Sequence, residues 1–231
     1  MHTWPPPHTV RISPRAKRLL LRFHPEKGLE IVSPTRLSAR QVGDVLDAHR
    51  AWIEQHLSKL HPWPAEHLPE AIDLPALGQC WSLAHVPDAP SGRLHADAQR
   101  QHLTLHGPPP LLWPLLGRWL LHQAKLHLPP RLLEHAHQQG LQPSGVSVRW
   151  ATSRWGSCSH QGRISLNARL LWLSPQEVDY VLLHELTHLE HFNHSPAFWQ
   201  ALEERCLGAR QWDRRLRKAN ACLPGWLPLL Q

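Results

Sequence analysis

Cysteine is sparse and unpatterned in this chain. Cys80, Cys158, Cys206 and Cys222 are the only four in 231 residues, and no two form a C-x-x-C pair. Neither a disulfide framework nor a cysteine-built metal site is expected. Long hydrophobic runs are also missing. The most apolar stretch, residues 111–121, is broken by Pro114 and carries Arg118, and it is too short to span a bilayer. The opening Met1-His2-Thr3-Trp4-Pro5-Pro6-Pro7 contains no apolar segment, so no secretory leader is expected. These absences predict a soluble, cytoplasmic protein with no membrane partner. No internal repeat or long low-complexity tract is visible. Tyrosine occurs once and phenylalanine three times, against twelve tryptophans. Most of those tryptophans are expected to pack rather than to bind.

Lysine is scarce beside arginine, and the formal net charge is +7. Basic residues gather at Arg11, Arg15, Lys17, Arg18 and Arg22, and again at Arg205, Arg210, Arg214, Arg215, Arg217 and Lys218. This balance favours anionic partners such as nucleic acid, nucleotides or acidic peptides. The plainer alternative is a solvated basic surface. At this length the chain can bury one large core or two small ones.

The first part reads as strands around a helix. His8 to Ile12, Arg18 to Phe23 and Gly28 to Val32 are short runs between turn residues. Ser38 and Gln41 form a capping box, followed by a helical stripe of Val42, Val45, Leu46, Ile53, Leu57 and Leu60 up to Pro62. Strand signals return at 80–86, 93–96 and 102–106. Pro108-Pro109-Pro110 looks like a joint. A helix over about 111–139 follows, with a possible interruption at Pro129-Pro130. Strands at 146–150 and 163–167 come next, then helices over 175–192, 196–207 and 209–220.

The richest chemistry lies in His184-Glu185-Leu186-Thr187-His188, with His194 beyond it. Two histidines four apart project from one helix face, so both imidazoles reach one ion. Glu185 stands where its carboxylate can take a proton from a water activated by that ion. In so histidine-rich a chain, H-E-x-x-H arises by accident in roughly one case in twelve, a real risk for a bare motif. A further histidine six residues on lowers this to below about one in a hundred. The context lowers it again. Ser174-Pro175-Gln176-Glu177 is a helix start with a capping box. Val178, Val181, Leu182, Leu186 and Leu189 then recur as a buried stripe. Asn193 is the expected helix stop.

His194 is the expected third ligand, because it lies at a turn and can fold back. His191 shares the ligand face but sits about 10.5 Å along the axis from His184, which suits a rim or supporting role. Glu203 and Glu204 are alternatives from a downstream helix. Tyr180, one turn before His184, is either a supporting residue for substrate or a packing tyrosine. Asn193 either orients His194 or ends the helix. Arg154 and Arg163 are candidate substrate contacts, since guanidinium forks match phosphate oxygens. Cys158 is expected to be a small buried thiol. Zinc is the expected ion, although imidazole ligands also suit nickel, cobalt, manganese or iron.

Taken in order, residues 153–159, Ile164-Ser165-Leu166-Asn167, Asp179-Tyr180-Val181, the His184–Leu189 motif, Asn193-His194-Ser195 and Phe198-Trp199 closely resemble the YgjP-like metallopeptidase-domain family. The likeness runs through about 145–222 and more weakly through the N-terminal part. Ala168 departs from it, where an aromatic residue is expected. The resemblance implies an α+β chain: a β-rich N-terminal domain with one helix over 1–108, then a small zincin-like (minigluzincin) core over 109–231. It also implies His184, His188 and His194 as zinc ligands and Glu185 as the catalytic acid/base. Peptide hydrolysis is the leading expectation. Hydrolysis of a nucleoside triphosphate at the same site is the second. A DNA-associated protease, by likeness to WLM- and SprT-type relatives, is the third.

Overall fold

A computed structural model describes residues 4–16, 18–24, 28–57, 64–219 and 223–230. The fold is mixed α+β, and contacts divide it into two compact units between Pro64 and Ala65. Cys222 and Lys17, together with the part of the first helical stripe beyond residue 57, lie outside the described residues.

In the first unit, β1 (His8–Ile12), β2 (Leu20–His24) and β3 (Gly28–Ser33) form one sheet in the order β1-β3-β2. β3 runs parallel to β1 and antiparallel to β2. The Ser38–Gln41 capping box forms as expected and starts α1 (Ala39–Ala48). The single helix anticipated here is two, because His49 leaves helical geometry (φ −111°, ψ 15°) before α2 (Arg50–Leu57). Leu46 and Ile53 are both buried against Leu29 and Ile31. Their seven-residue spacing survives the break, so the apolar pattern does not reveal it.

The second unit begins with β4 (Ala71–Leu74), β5 (Gln79–Val86), β6 (Arg93–Asp97) and β7 (His102–His106), in the order β4-β5-β7-β6. β4 has no counterpart in the sequence reading. It is four residues long in a proline-rich stretch, with only Ile72 and Leu74 buried. Gly78, at φ +62°, closes the turn into β5. The Pro108 joint lies inside this unit and opens α3 (Pro109–Gln138). α3 continues through Pro129 and Pro130 without interruption. Each proline removes a helix hydrogen bond, but Leu112, Leu116, Leu120, Ala124, Leu128, Leu132 and Ala136 bury one unbroken stripe. Packing on that face holds the helix where propensity would end it. Tryptophans fill the same core: Trp81 meets Trp119 edge-on at 4.8 Å, and Trp226 lies between Trp113 and Trp172.

The remaining elements carry the site. β8 (Gly145–Arg149), β9 (Gly156–Cys158) and β10 (Arg163–Asn167) form a sheet ordered β8-β10-β9. β10 is central, parallel to β8 and antiparallel to β9, so β9 is an edge strand. Three residues were too few to signal β9 in advance. Then come α4 (Pro175–Thr187), α5 (Pro196–Arg205) and α6 (Ala209–Ala219).

α4 is bolted to α3 by one carboxylate. Asp179 accepts from Arg131 Nε and pairs with His135 Nε2, each at 2.7 Å, while Arg131 also donates to the Pro175 carbonyl. Burial raises the Asp179 pKa, but the hydrogen bonds from His135 and Arg131 outweigh it and hold the group below its ordinary range. A depressed native pKa stabilises the fold above the unfolded value, and that stability is lost as pH falls through the native one. Asp179→Asn should therefore lower the urea midpoint at pH 7, at a cost of about 1–2 kcal/mol for a partly exposed charged cluster. The gap between wild type and variant midpoints should begin to close as the pH falls below about 4, and should vanish only below the native pKa. Equal midpoints at pH 7 would remove Asp179 from this role.

Candidate metal centre

α4 places the first two imidazoles. Its N-terminus is fixed by the Ser174–Glu177 capping box and Pro175. Val178, Val181, Leu182 and Leu186 are buried, which turns His184 and His188 to a common side. The helix ends at Thr187, not at residue 192 as expected. The last turn tightens through Leu189 N–H to the Leu186 carbonyl (3.0 Å) and Glu190 N–H to the Thr187 carbonyl (3.2 Å). Asn193 does not stop this helix. Its Oδ1 accepts from Ser195 N–H at 3.2 Å, just ahead of α5. The earlier exit is what lets the chain turn back and bring His194 to the helical pair.

His184, His188 and His194 offer ring nitrogens that all lie within 4.8 Å of one another. The Nε2 atoms of His184 and His194 are 3.1 Å apart. Nitrogens about 2 Å from one tetrahedral ion are separated by roughly 3.3 Å, so the three residues fit a single divalent cation. His188 Nδ1 donates to the His191 carbonyl at 2.9 Å, which leaves the Nε2 lone pair available to an ion. His191 thus acts through its main chain. Tyr180, only 2% exposed, holds its hydroxyl 3.4 Å from His184 Nδ1. Burial pushes the His184 pKa down to about 3, and the neighbouring His188 and His194 add to the effect. Burial also lowers His188. Both rings are therefore neutral at ordinary pH, the state a metal requires.

Phe198 on α5 forms the floor. It is fully buried, and its ring centroid lies 5.0, 4.6 and 4.8 Å from those of His184, His188 and His194. Arg205, also on α5, donates to Thr187 Oγ1 and pairs with Glu190, tying down the turn that carries the His191 carbonyl. Glu203 is not available as a ligand, because its carboxylate accepts from the N–H groups of Gly208 (2.6 Å) and Ala209 (3.0 Å). Glu204 accepts from Gln200.

Glu185 is 5% exposed, and its Oε2 has no hydrogen-bond partner. Burial pushes its pKa up to about 8, opposed by the charge of Arg154. β9 comes so close that a Cβ on Gly156 would stand 2.6 Å from Glu185 Oε1, so a side chain there would displace the Glu185 carboxylate. A cavity of about 330 Å³ opens beside His184 and Glu185, lined also by Arg154, Trp155, Tyr180 and Arg217. Arg163 is not part of that lining. It pairs with Gly145 at the start of β10, one residue before the Ile164–Cys158 pair, whereas Gly156 lies opposite Leu166. The loop that carries Arg154 is held by buried Asn167, whose Nδ2 donates to the carbonyls of Ala151 and Arg154 at 2.8 Å each. Cys158, in β9, is a partly buried free thiol whose pKa burial and then Glu185 raise, as expected of an inert thiol.

Gly156, Asn167 and Phe198 carry structural duties here that the sequence reading did not assign. Their motifs were visible, but the duty of each depends on a partner distant in sequence.

An α+β fold that gathers three imidazoles beside a buried carboxylate is that of a metal-dependent hydrolase. The YgjP-like, metallopeptidase domain family matches residues 17–219, and the chain belongs to that family. No curated protein matches. Among solved structures the chain is similar to the metallopeptidase zymogen of Pyrococcus abyssi abylysin, at 29% identity and a TM-score of 0.36, over 40% of this chain and 95% of that one. Among the described residues no helix is long and apolar enough to cross a membrane.

Proposed function

We propose that the chain is a zinc-dependent peptidase in which His184, His188 and His194 hold the ion and Glu185 moves the proton. The observation that carries this reading is the convergence of three imidazole nitrogens beside a buried carboxylate oxygen that has no other partner. When bound, the ion supplies Lewis acidity, lowering the pKa of water from about 15.7 toward 7 and polarising the carbonyl under attack. Glu185 accepts the proton of the attacking water at Oε2 and delivers it to the leaving amine. Without an ion, burial lifts this carboxyl to about 8; a neighbouring cation would favour the carboxylate form that accepts a proton. Tyr180 and the His191 carbonyl steady the first two ligand rings from behind. Residues 109–231 carry the reacting groups, and residues 1–108 are assigned an accessory, β-rich role.

Elemental analysis of the purified protein should find close to one zinc per chain, and far less in His194→Ala. The wild type should cleave members of a peptide library and leave a nucleoside triphosphate panel intact. A wild type that holds no transition metal and gains no activity on zinc addition would reject the reading.

The second reading is phosphate-ester or anhydride hydrolysis at the same residues, favoured by Arg154 in the cavity. Phosphate release from the nucleotide panel without peptide cleavage selects it. A nucleic-acid-associated protease is favoured by the exposed Arg210, Arg214, Arg215 and Lys218 of α6. Steeply salt-dependent DNA binding would select that one.

A further inference from the structure

The cavity beside the imidazoles is unevenly charged. On α6, Arg217 is engaged, donating from Nε and Nη2 to Asp213 Oδ2 at 3.0 and 2.7 Å. Arg154 is not. Its main-chain carbonyl is fixed by Asn167, but its guanidinium has no hydrogen-bond or ion-pair partner among the described residues. It is thus a cation on an anchored backbone that acts on Glu185 through space without bonding to it, and it lines the same cavity.

The neighbouring strand shows how a substrate would reach it. β9 pairs with β10 on one side only, and its first residue, Gly156, lies against Glu185. An extended peptide added to such an edge gains main-chain hydrogen bonds. Its side chains alternate in direction, so a residue adjacent to the bond at Glu185 enters the cavity.

Building on the peptidase reading, we propose that this cavity is a specificity site for an acidic side chain, Asp or Glu, next to the bond cleaved, with Arg154 as its counter-charge. A single carboxylate suits the site better than a polyphosphate does. Among the described cations lining the cavity, Arg154 alone is not already paired, and one planar guanidinium matches one carboxylate in a two-pronged contact. A triphosphate would leave most of its charge uncompensated.

The test uses the full-length, zinc-loaded protein and quenched fluorescent peptides that vary one flanking position among Asp, Glu, Ala and Lys. Wild type should show a kcat/KM about tenfold higher for the acidic peptides than for alanine, the scale of one charge-assisted contact, and a lower value still for lysine. Arg154→Glu should reverse the order, with circular dichroism confirming the fold. Phosphoserine peptides and nucleoside triphosphates form separate arms. A preference for either over the carboxylate peptides overturns the proposal in favour of a phosphate site. Binding is measured independently of turnover by fluorescence anisotropy of a labelled acidic peptide on zinc-loaded Glu185→Gln. Adding Arg154→Ala should weaken that binding about tenfold.

Equal cleavage of acidic and neutral peptides, or an Arg154→Glu variant that keeps the wild-type order, overturns the specificity site and leaves the peptidase reading standing. Arg154-dependent binding of acidic peptide without any cleavage by wild type removes the peptidase reading and keeps the acidic subsite. Loss of both observations removes both.

Discussion

Glu185→Gln is expected to keep its bound metal and lose about 10³-fold in kcat, the usual range for removing a general base. The substitution preserves the shape of the side chain, so Gly156 still fits against it. The amide cannot accept and return a proton. The proposed ligand set of His184, His188 and His194 is untouched, so metal content should match wild type. Paired elemental analysis and peptide turnover on the same preparations check both halves. Turnover equal to wild type would take Glu185 out of the mechanism. Loss of metal together with activity would make it a structural residue instead.

Phe198→Ala should have the largest effect on stability and a second effect on the site. Phe198 is fully buried and touches the rings of His184, His188 and His194. Truncating a buried phenylalanine to alanine costs about 3–5 kcal/mol through lost burial and the cavity left behind. Here that cavity opens beneath the imidazoles, which then sample wider orientations. Disturbing the groups that orient metal ligands typically weakens affinity about 10–100-fold. Urea unfolding of the metal-free protein measures the first effect. Competition with a chelator under conditions where the variant is still folded measures the second. Wild-type metal affinity in a destabilised variant would confine Phe198 to packing.

Two of the proposed ligands were legible because helical periodicity is local. The four-residue spacing of His184 and His188, the capping box at Ser174 and the apolar stripe all act within one helix. His194 was harder to place, since its position depends on where α4 ends. The apolar pattern runs on through Leu189, yet the last turn tightens and the chain leaves early, because backbone groups find partners at Leu186 and Thr187. Arg154 and Arg163 looked alike in sequence, nine residues apart. The antiparallel register of β9 on β10 sets them at different stations along the sheet, and only Arg154 lines the cavity. In the fold, Pro129 and Pro130 read as a break that packing overrode, and β4 and β9 were too short to register.

By itself the amino-acid order determined the family, the α+β class, the candidate metal-ligating residue types and the carboxylate beside them. Each of these is written in spacings of three, four or six residues, where chain geometry leaves little choice. The tertiary structure decided which groups support those residues. Phe198 beneath the imidazoles, Gly156 against Glu185 and Asn167 holding the Arg154 loop all join elements distant along the chain. Such meetings depend on how helices and strands pack, and no local periodicity encodes them.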